Sequence, residues 1–302
     1  MIVLQLLGYA FLLVAAISSS VSMNFQKIAQ HQTLFHDPRT RLQRRETPLT
    51  GRVCLRPMFI LGLFLSAAAS ALDFAALTWL PPSTVGLFGC IAIGINLLVS
   101  RIVLHEKPSG PEWKAVAWIL LGCLMAISVK VNHVPTHSPP QLIERPQAVG
   151  FILGSWTCTI LCATALYYAN LPTLLHQFGF PCIAGAIGAQ NVCMGKYIAY
   201  TVAQAAETGA LTVRTDVLTS VSVLCLGSVV LGIVWLNEGL ARYDGYYCII
   251  VYQTTWFLCT TLSGIIVYDN MATLETWACA VFLTGCGVAV YGVWRMTTLQ
   301  KE

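Results

Sequence analysis

Apolar runs of about 20 residues recur along this chain, near 2–22, 57–79, 82–104, 113–132, 149–170, 181–203, 215–236, 246–267 and 275–296. That is the length a helix needs to cross the hydrocarbon core of a bilayer. Lipid offers no partner to a free N–H or C=O, so each run is expected to be helical. The apolar-polar alternation of a membrane β-barrel is absent. The pattern therefore predicts an all-α polytopic membrane protein of about nine transmembrane helices. The first run ends in the small residues Ala15-Ala16-Ile17-Ser18-Ser19-Ser20, which would suit a cleaved leader. No Lys or Arg precedes it, however, and a leader wants a basic start, so it is read as a span.

Composition sharpens this. Of 302 residues, 56% are hydrophobic and only 10% charged, with a mean hydropathy of +0.70. A soluble domain carries about 25% charge. A soluble enzyme, a disordered tail and a nucleic-acid binder are excluded as first readings. The net charge of +4 gains meaning only from where the charges lie. With nine spans, thirteen of the seventeen basic side chains fall on one side: Lys27, Arg39, Arg41, Arg44, Arg45, Arg52, Arg56, Arg101, Lys107, Lys114, Arg242, Arg295 and Lys301. Cytoplasmic loops carry the excess of Lys and Arg, which puts the N-terminus outside and the C-terminus in the cytoplasm. The loop 28–56 then reads as a basic, flexible cytoplasmic segment, able in principle to hold a partner or anionic lipid. The twelve cysteines are spread through the spans without a CxxC pair and read as packing residues. His133 and His137 sit in a Pro-rich loop, a poor frame for a metal.

A duplication is the most informative feature. Residues 105–129 and 268–292 align without a gap, pairing Glu112 with Glu275, Leu120 with Leu283, Gly122 with Gly285, Cys123 with Cys286 and Ala126 with Ala289. Glu106 pairs in kind with Asp269. The repeat relates the fourth span to the ninth. An offset of five spans reverses direction through the membrane, so the copies are expected to be inverted, as in secondary transporters with alternating access. The expected organisation is a first repeat over 1–132, a Pro/His-containing loop over 133–148 and a second half over 149–302. No nucleophile–base pair, zinc spacing or phosphate loop points to an enzyme, and no cofactor is expected.

Polar groups inside the spans are the candidate path. An ionised carboxylate at mid-bilayer costs roughly 2.5–3.5 kcal/mol, so Asp73 should face a cavity or pair with Lys27 or Lys196. Asn96 and Gln253 lie in corresponding spans and either bond between helices or offer oxygens to a cargo. Lys196 is expected in an ion-pair or gating role, while Lys27 could snorkel to the headgroups. Tyr252, Thr255, Cys259 and Ser263 recur at helical spacing as a moderately polar face. Glu112 and Glu275 suit helix N-termini. Glu106 and Asp269 end the preceding spans, where a gate or access role is open. Gly89 and Gly94 permit close helix approach.

At these residues the chain resembles the drug/metabolite transporter superfamily, and within it the NIPA-type magnesium transporters. The resemblance runs through DFAALTWLP from Asp73 to Pro81, Gly89, Glu106, Gly122, the NFQK stretch Asn24–Lys27 and LNEGLARYD from Leu236. It departs at Asp73, where the family more often has Asn, and around Ile249, where an expected Pro is missing. The loop 28–56 also looks longer and more basic than the family norm. The resemblance implies a multi-pass protein of the plasma or endosomal membrane that moves Mg²⁺ or another divalent cation. Mg²⁺ takes oxygen ligands and keeps several waters, so Asp73, the tentative metal ligand, with Asn96 and Gln253 would suffice. A small organic metabolite, contacting Trp79, Tyr252, Trp256 and Lys196, is the alternative cargo, and a non-transporting adaptor the alternative class. The expected partners are the transported ion and the lipid bilayer, with no nucleic acid and with a homodimer left open.

Overall fold

A computed structural model describes residues 2–35, 56–80, 82–103, 109–128, 145–169, 172–209, 215–243, 245–267 and 276–299. Nine helices lie among the described residues: α1 (Ile2–Phe35), α2 (Pro57–Trp79), α3 (Pro82–Val103), α4 (Gly110–Ser128), α5 (Pro146–Tyr168), α6 (Thr173–Thr208), α7 (Thr215–Arg242), α8 (Gly245–Val267) and α9 (Thr276–Leu299). Each coincides with one predicted span. Six of them, α1, α2, α5, α7, α8 and α9, are individually long and apolar enough to cross a membrane. Their outer faces are oily: Leu153 and Leu161 of α5 and Leu226 of α7 are each more than 60% exposed. In water such a surface would drive association; against lipid tails it is at home.

Local chemistry sets the helix ends. Pro57 and Pro146 occupy the first position of α2 and α5, where a missing N–H is not needed. Ser109 precedes α4, and its backbone N–H donates to Glu112 Oε2 at 2.5 Å. That is half of a capping box, and it bears out the capping role read for Glu112. Gly209 ends α6 at φ 70°.

Three spans differ in extent from expectation. The first does not stop at residue 22 but continues to Phe35, the sixth covers Thr173–Thr208, and the seventh continues to Arg242. The polar stretches that were expected to leave the membrane stay helical because neighbouring helices satisfy them. Ser22, Asn24, Gln26 and Lys27 of α1 are all buried, as are Asn237 and Glu238 of α7.

Neighbouring helices run antiparallel where close contacts define direction. A Cβ on Gly8 at the start of α1 would meet Leu80 at 2.9 Å, and one on Gly62 of α2 would meet Gln26 at 2.9 Å. The start of α1 thus lies at the end of α2. Gly232 and Gly239 of α7 similarly approach Ile187 and Phe180 of α6. The bundle centre is α8, packed on α6 and α3, while α5 rests on α6 and α8 at the periphery.

The α4/α9 crossing is the tightest contact. A Cβ on Gly122 would fall 2.3 Å from Ala289 N and 2.6 Å from Gly285 O. One on Gly285 would fall 2.6 Å from Ala126 N and 2.7 Å from Gly122 O. Small residues four apart let two backbones meet in this way, and van der Waals contact replaces the hydrophobic effect that lipid cannot supply.

Candidate functional site

Helices α1, α2 and α3 from one part of the chain and α6, α7 and α8 from the other line a half-open cavity of about 280 Å³. Helical spacing brings Ser66, Ser70 and Asp73 of α2 onto the wall, because residues three, four and seven apart share a face. Gln26 of α1, Asn191 of α6 and Gln253 of α8 complete a polar lining on an otherwise apolar surface. Asp73 is the one charged side chain among the described residues that line it. It makes no ion pair among the described residues. The carboxylate therefore turns toward the cavity rather than toward a lysine. Gln253 is 3% exposed, and its Oε1 is buried without a hydrogen-bond partner. A buried carbonyl oxygen left unmatched costs about 1–3 kcal/mol, and its place on the cavity wall leaves it available to a cargo or its water.

An aromatic wall closes one flank. The Trp256 indole of α8 is gripped between two glycines, a Cβ on Gly89 of α3 lying 2.8 Å from Cζ3 and one on Gly188 of α6 lying 2.9 Å from Cδ1. Tyr252, one turn earlier, lines the same cavity. The polar face read on the eighth span divides accordingly. Tyr252 reaches the cavity, Thr255 packs on Gly185, and Ser263 donates back to the Cys259 carbonyl at 2.7 Å.

The predicted residues are only partly brought together. Asp73, Tyr252 and Gln253 share the cavity, whereas Asn96 lies outside its lining and accepts from Asn24 Nδ2 at 3.2 Å, joining α3 to α1. Lys196 does not pair with Asp73. Its Nζ donates to the carbonyls of Leu77 and, at 3.2 Å, Leu80, in the last turn of α2. Lys27 does not snorkel: it is 3% exposed and donates to the carbonyls of Leu240 at 2.7 Å and Tyr243 at 2.8 Å. Glu106 and Asp269 lie outside the described residues, as do Glu275, His133, His137 and most of the loop 28–56.

Sequence reasoning missed Gln26, Asn191 and Asn237. Asn237 Nδ2 donates to Gln26 Oε1 at 2.9 Å, tying α7 to α1, and Ser228 Oγ donates to Asn191 Oδ1 between α7 and α6. The signal was present: no Gly or Pro interrupts the chain from Tyr9 to Asp37, so a helix had no reason to stop before Gln26.

Among the described residues, no three His, Cys, Asp or Glu side chains gather as a metal cage. The cavity instead offers one carboxylate and several neutral oxygens. Such a wall suits a cation that keeps its water.

These features define a polytopic helical membrane protein with a polar cavity between its two sets of helices. Residues 8–302 match the family model described as magnesium transporter NIPA, and the chain belongs to that family of membrane transporters. A curated relative, "Probable magnesium transporter NIPA8" of Arabidopsis thaliana, is 20% identical over 297 residues. The match covers 92% of this chain and 66% of the relative, so this chain spans just under two thirds of that protein's length. No solved structure gives a significant match.

Proposed function

We propose that this chain carries Mg²⁺, largely hydrated, through the cavity beside Asp73, by alternating access between two inverted halves of a nine-span bundle. The observation that carries this reading is the pairing of a lone carboxylate with an unpartnered amide oxygen, Gln253 Oε1, on one internal cavity. Six waters at about 30 Å³ each need less than the cavity's volume of about 280 Å³. A single carboxylate holds a hydrated Mg²⁺ without trapping it, as Mg²⁺ sheds water reluctantly. The family description and the name of the plant relative point to the same ion.

Inversion is supported by how the helices pair. Exchanging α1 with α6, α2 with α7, α3 with α8 and α4 with α9 turns the α1/α2 contact into α6/α7, α1/α3 into α6/α8, α2/α6 into α7/α1 and α3/α4 into α8/α9, and all of these contacts exist. Helix α5 has no such partner. The cavity lies between the matched sets, where transporters of this build place their cargo. Charge placement favours an extracellular N-terminus and a cytoplasmic C-terminus.

The test is uptake of Mg²⁺ into liposomes that hold a magnesium-sensitive dye and the reconstituted protein. The proposal expects saturable uptake above protein-free vesicles, driven by an imposed inside-negative potential. Uptake no faster than in protein-free vesicles, with the protein folded and inserted, would turn the reading to a small organic metabolite on the same scaffold.

A further inference from the structure

Two lysines, Lys27 buried and Lys196 half-buried, do the same thing at opposite ends of the bundle. Lys196 of α6 binds the carbonyls of Leu77 and Leu80, and Lys27 of α1 binds those of Leu240 and Tyr243. Leu77 and Leu240 are 163 positions apart in the chain, as are Leu80 and Tyr243. Glu112 and Glu275, and Gly122 and Gly285, are separated by the same 163 positions. The two helix ends are also built alike. The Leu80 N–H donates to Ala76 O at 2.9 Å and the Tyr243 N–H to Gly239 O at 3.0 Å, again a matched pair 163 apart. The lysines themselves fall on helices five apart, outside the segment in which the sequence repeat is visible.

Each bond crosses between the two sets of helices around the cavity. Lys196 ties α6 to the C-terminal turn of α2, and Lys27 ties α1 to the C-terminal turn of α7. Leu80 lies beside Gly8 at the start of α1, whereas Gln26, next to Lys27, lies beside Gly62. Eighteen residues of α2 separate Gly62 from Leu80, about 27 Å at 1.5 Å per residue. The two ties thus sit at opposite ends of the cavity, a bilayer core apart. The last carbonyls of a helix lack intrahelical partners and carry partial negative charge, so an ammonium is their natural ligand. Lys27 is 3% exposed, so little water reaches its tie and release needs the helix end to move. Asp73 stands one turn before Leu77, so the Lys196 tie lies toward the end of the cavity nearest the carboxylate.

We propose that Lys27 and Lys196 are paired gate latches, each fastening the C-terminal turn of a helix across the cavity and each released when its own end opens. This rests on the alternating-access reading but not on the identity of the cargo. Cys225 lines the cavity and serves as the reporter. Protein reconstituted in one orientation is exposed to a membrane-impermeant thiol reagent from either side, and modification of Cys225 is read by mass spectrometry. Lys196→Met should raise labelling several-fold from the end at Leu80, and Lys27→Met several-fold from the opposite end. Gly245→Ala is a second route to the Lys27 latch, since its Cβ would lie 2.8 Å from Lys27 Cε and Cγ and would displace the stem without removing the charge. Lys196→Arg, a charged replacement able to reach the same carbonyls, should label as the wild type does. Unchanged sidedness in the methionine and alanine variants, or a rise from the same side for both lysines, would overturn the proposal. Mg²⁺ uptake is scored separately: side-specific labelling without Mg²⁺ uptake keeps the latches and removes only the cargo.

Discussion

Gly122 of α4 and Gly285 of α9 face one another across the tightest helix crossing, each with its missing Cβ within 2.7 Å of the other's carbonyl oxygen. They are also the partners that an ungapped alignment of 105–129 with 268–292 pairs. The aligned alanines extend the reciprocity, Gly122 meeting Ala289 and Gly285 meeting Ala126. The close contacts at the α4/α9 crossing thus exchange when the two aligned segments are exchanged.

A methyl group at this crossing has nowhere to go, because its neighbours are backbone atoms. Gly122→Ala and Gly285→Ala should each destabilise the detergent-solubilised protein by about 1–3 kcal/mol, in the range of overpacked cores. Gly94, with no atom within 4 Å of its would-be Cβ, is the control, and Gly94→Ala should leave the melting temperature unchanged. Equal melting of all three variants would mean that the crossing is looser than described.

The Gln26–Asn237 bond joins α1 to α7 beside the cavity, with both side chains buried. Replacing Asn237 takes this donor from Gln26 Oε1, and replacing Gln26 takes this acceptor from Asn237 Nδ2, which still reaches the Ile233 carbonyl of its own helix, so each loss is worth about 0.5–1.5 kcal/mol. Gln26→Leu and Asn237→Leu should each lower stability, and the double variant should lose less than the sum of the two. A double-mutant cycle on thermal unfolding measures this directly. Strict additivity would show that the amides act independently.

The order of the helices was legible in the sequence, and so was much of the cavity. The nine apolar runs became nine helices among the described residues, and Asp73 was conspicuous because a carboxylate in a span is costly. What could not be read was which polar residues a neighbouring helix satisfies. Asn96 and Gln253 look alike in sequence, yet one bonds Asn24 and the other faces the cavity. Lys27 resembles a headgroup lysine because the apolar run ends near residue 22 although the helix continues to Phe35. Its carbonyl partners lie more than 200 residues away, and no local pattern announces them.

The grip on Trp256 gives a further expectation. Gly89→Ala should push the indole from its slot between α3 and α6 toward the cavity and slow transport while leaving membrane insertion intact. Adding Trp256→Phe, which shortens the ring, should restore part of the rate. Flux measurements on the single and double variants decide the matter, and a double variant as slow as the single one would remove Trp256 as the obstruction.

Transport as proposed needs the Asp73 carboxylate to meet the cargo. The most direct measurement is the concentration dependence of Mg²⁺ uptake into dye-loaded liposomes for wild type, Asp73→Asn and Asp73→Glu. The Asn variant keeps the size and loses the charge, and a charge-assisted contact is worth about 1.5–3 kcal/mol. Apparent affinity should therefore fall about tenfold or more in Asp73→Asn, with Asp73→Glu retaining part of it and all three proteins inserting equally. Saturable uptake with the same concentration dependence in wild type and Asp73→Asn would show that the carboxylate does not contact the ion.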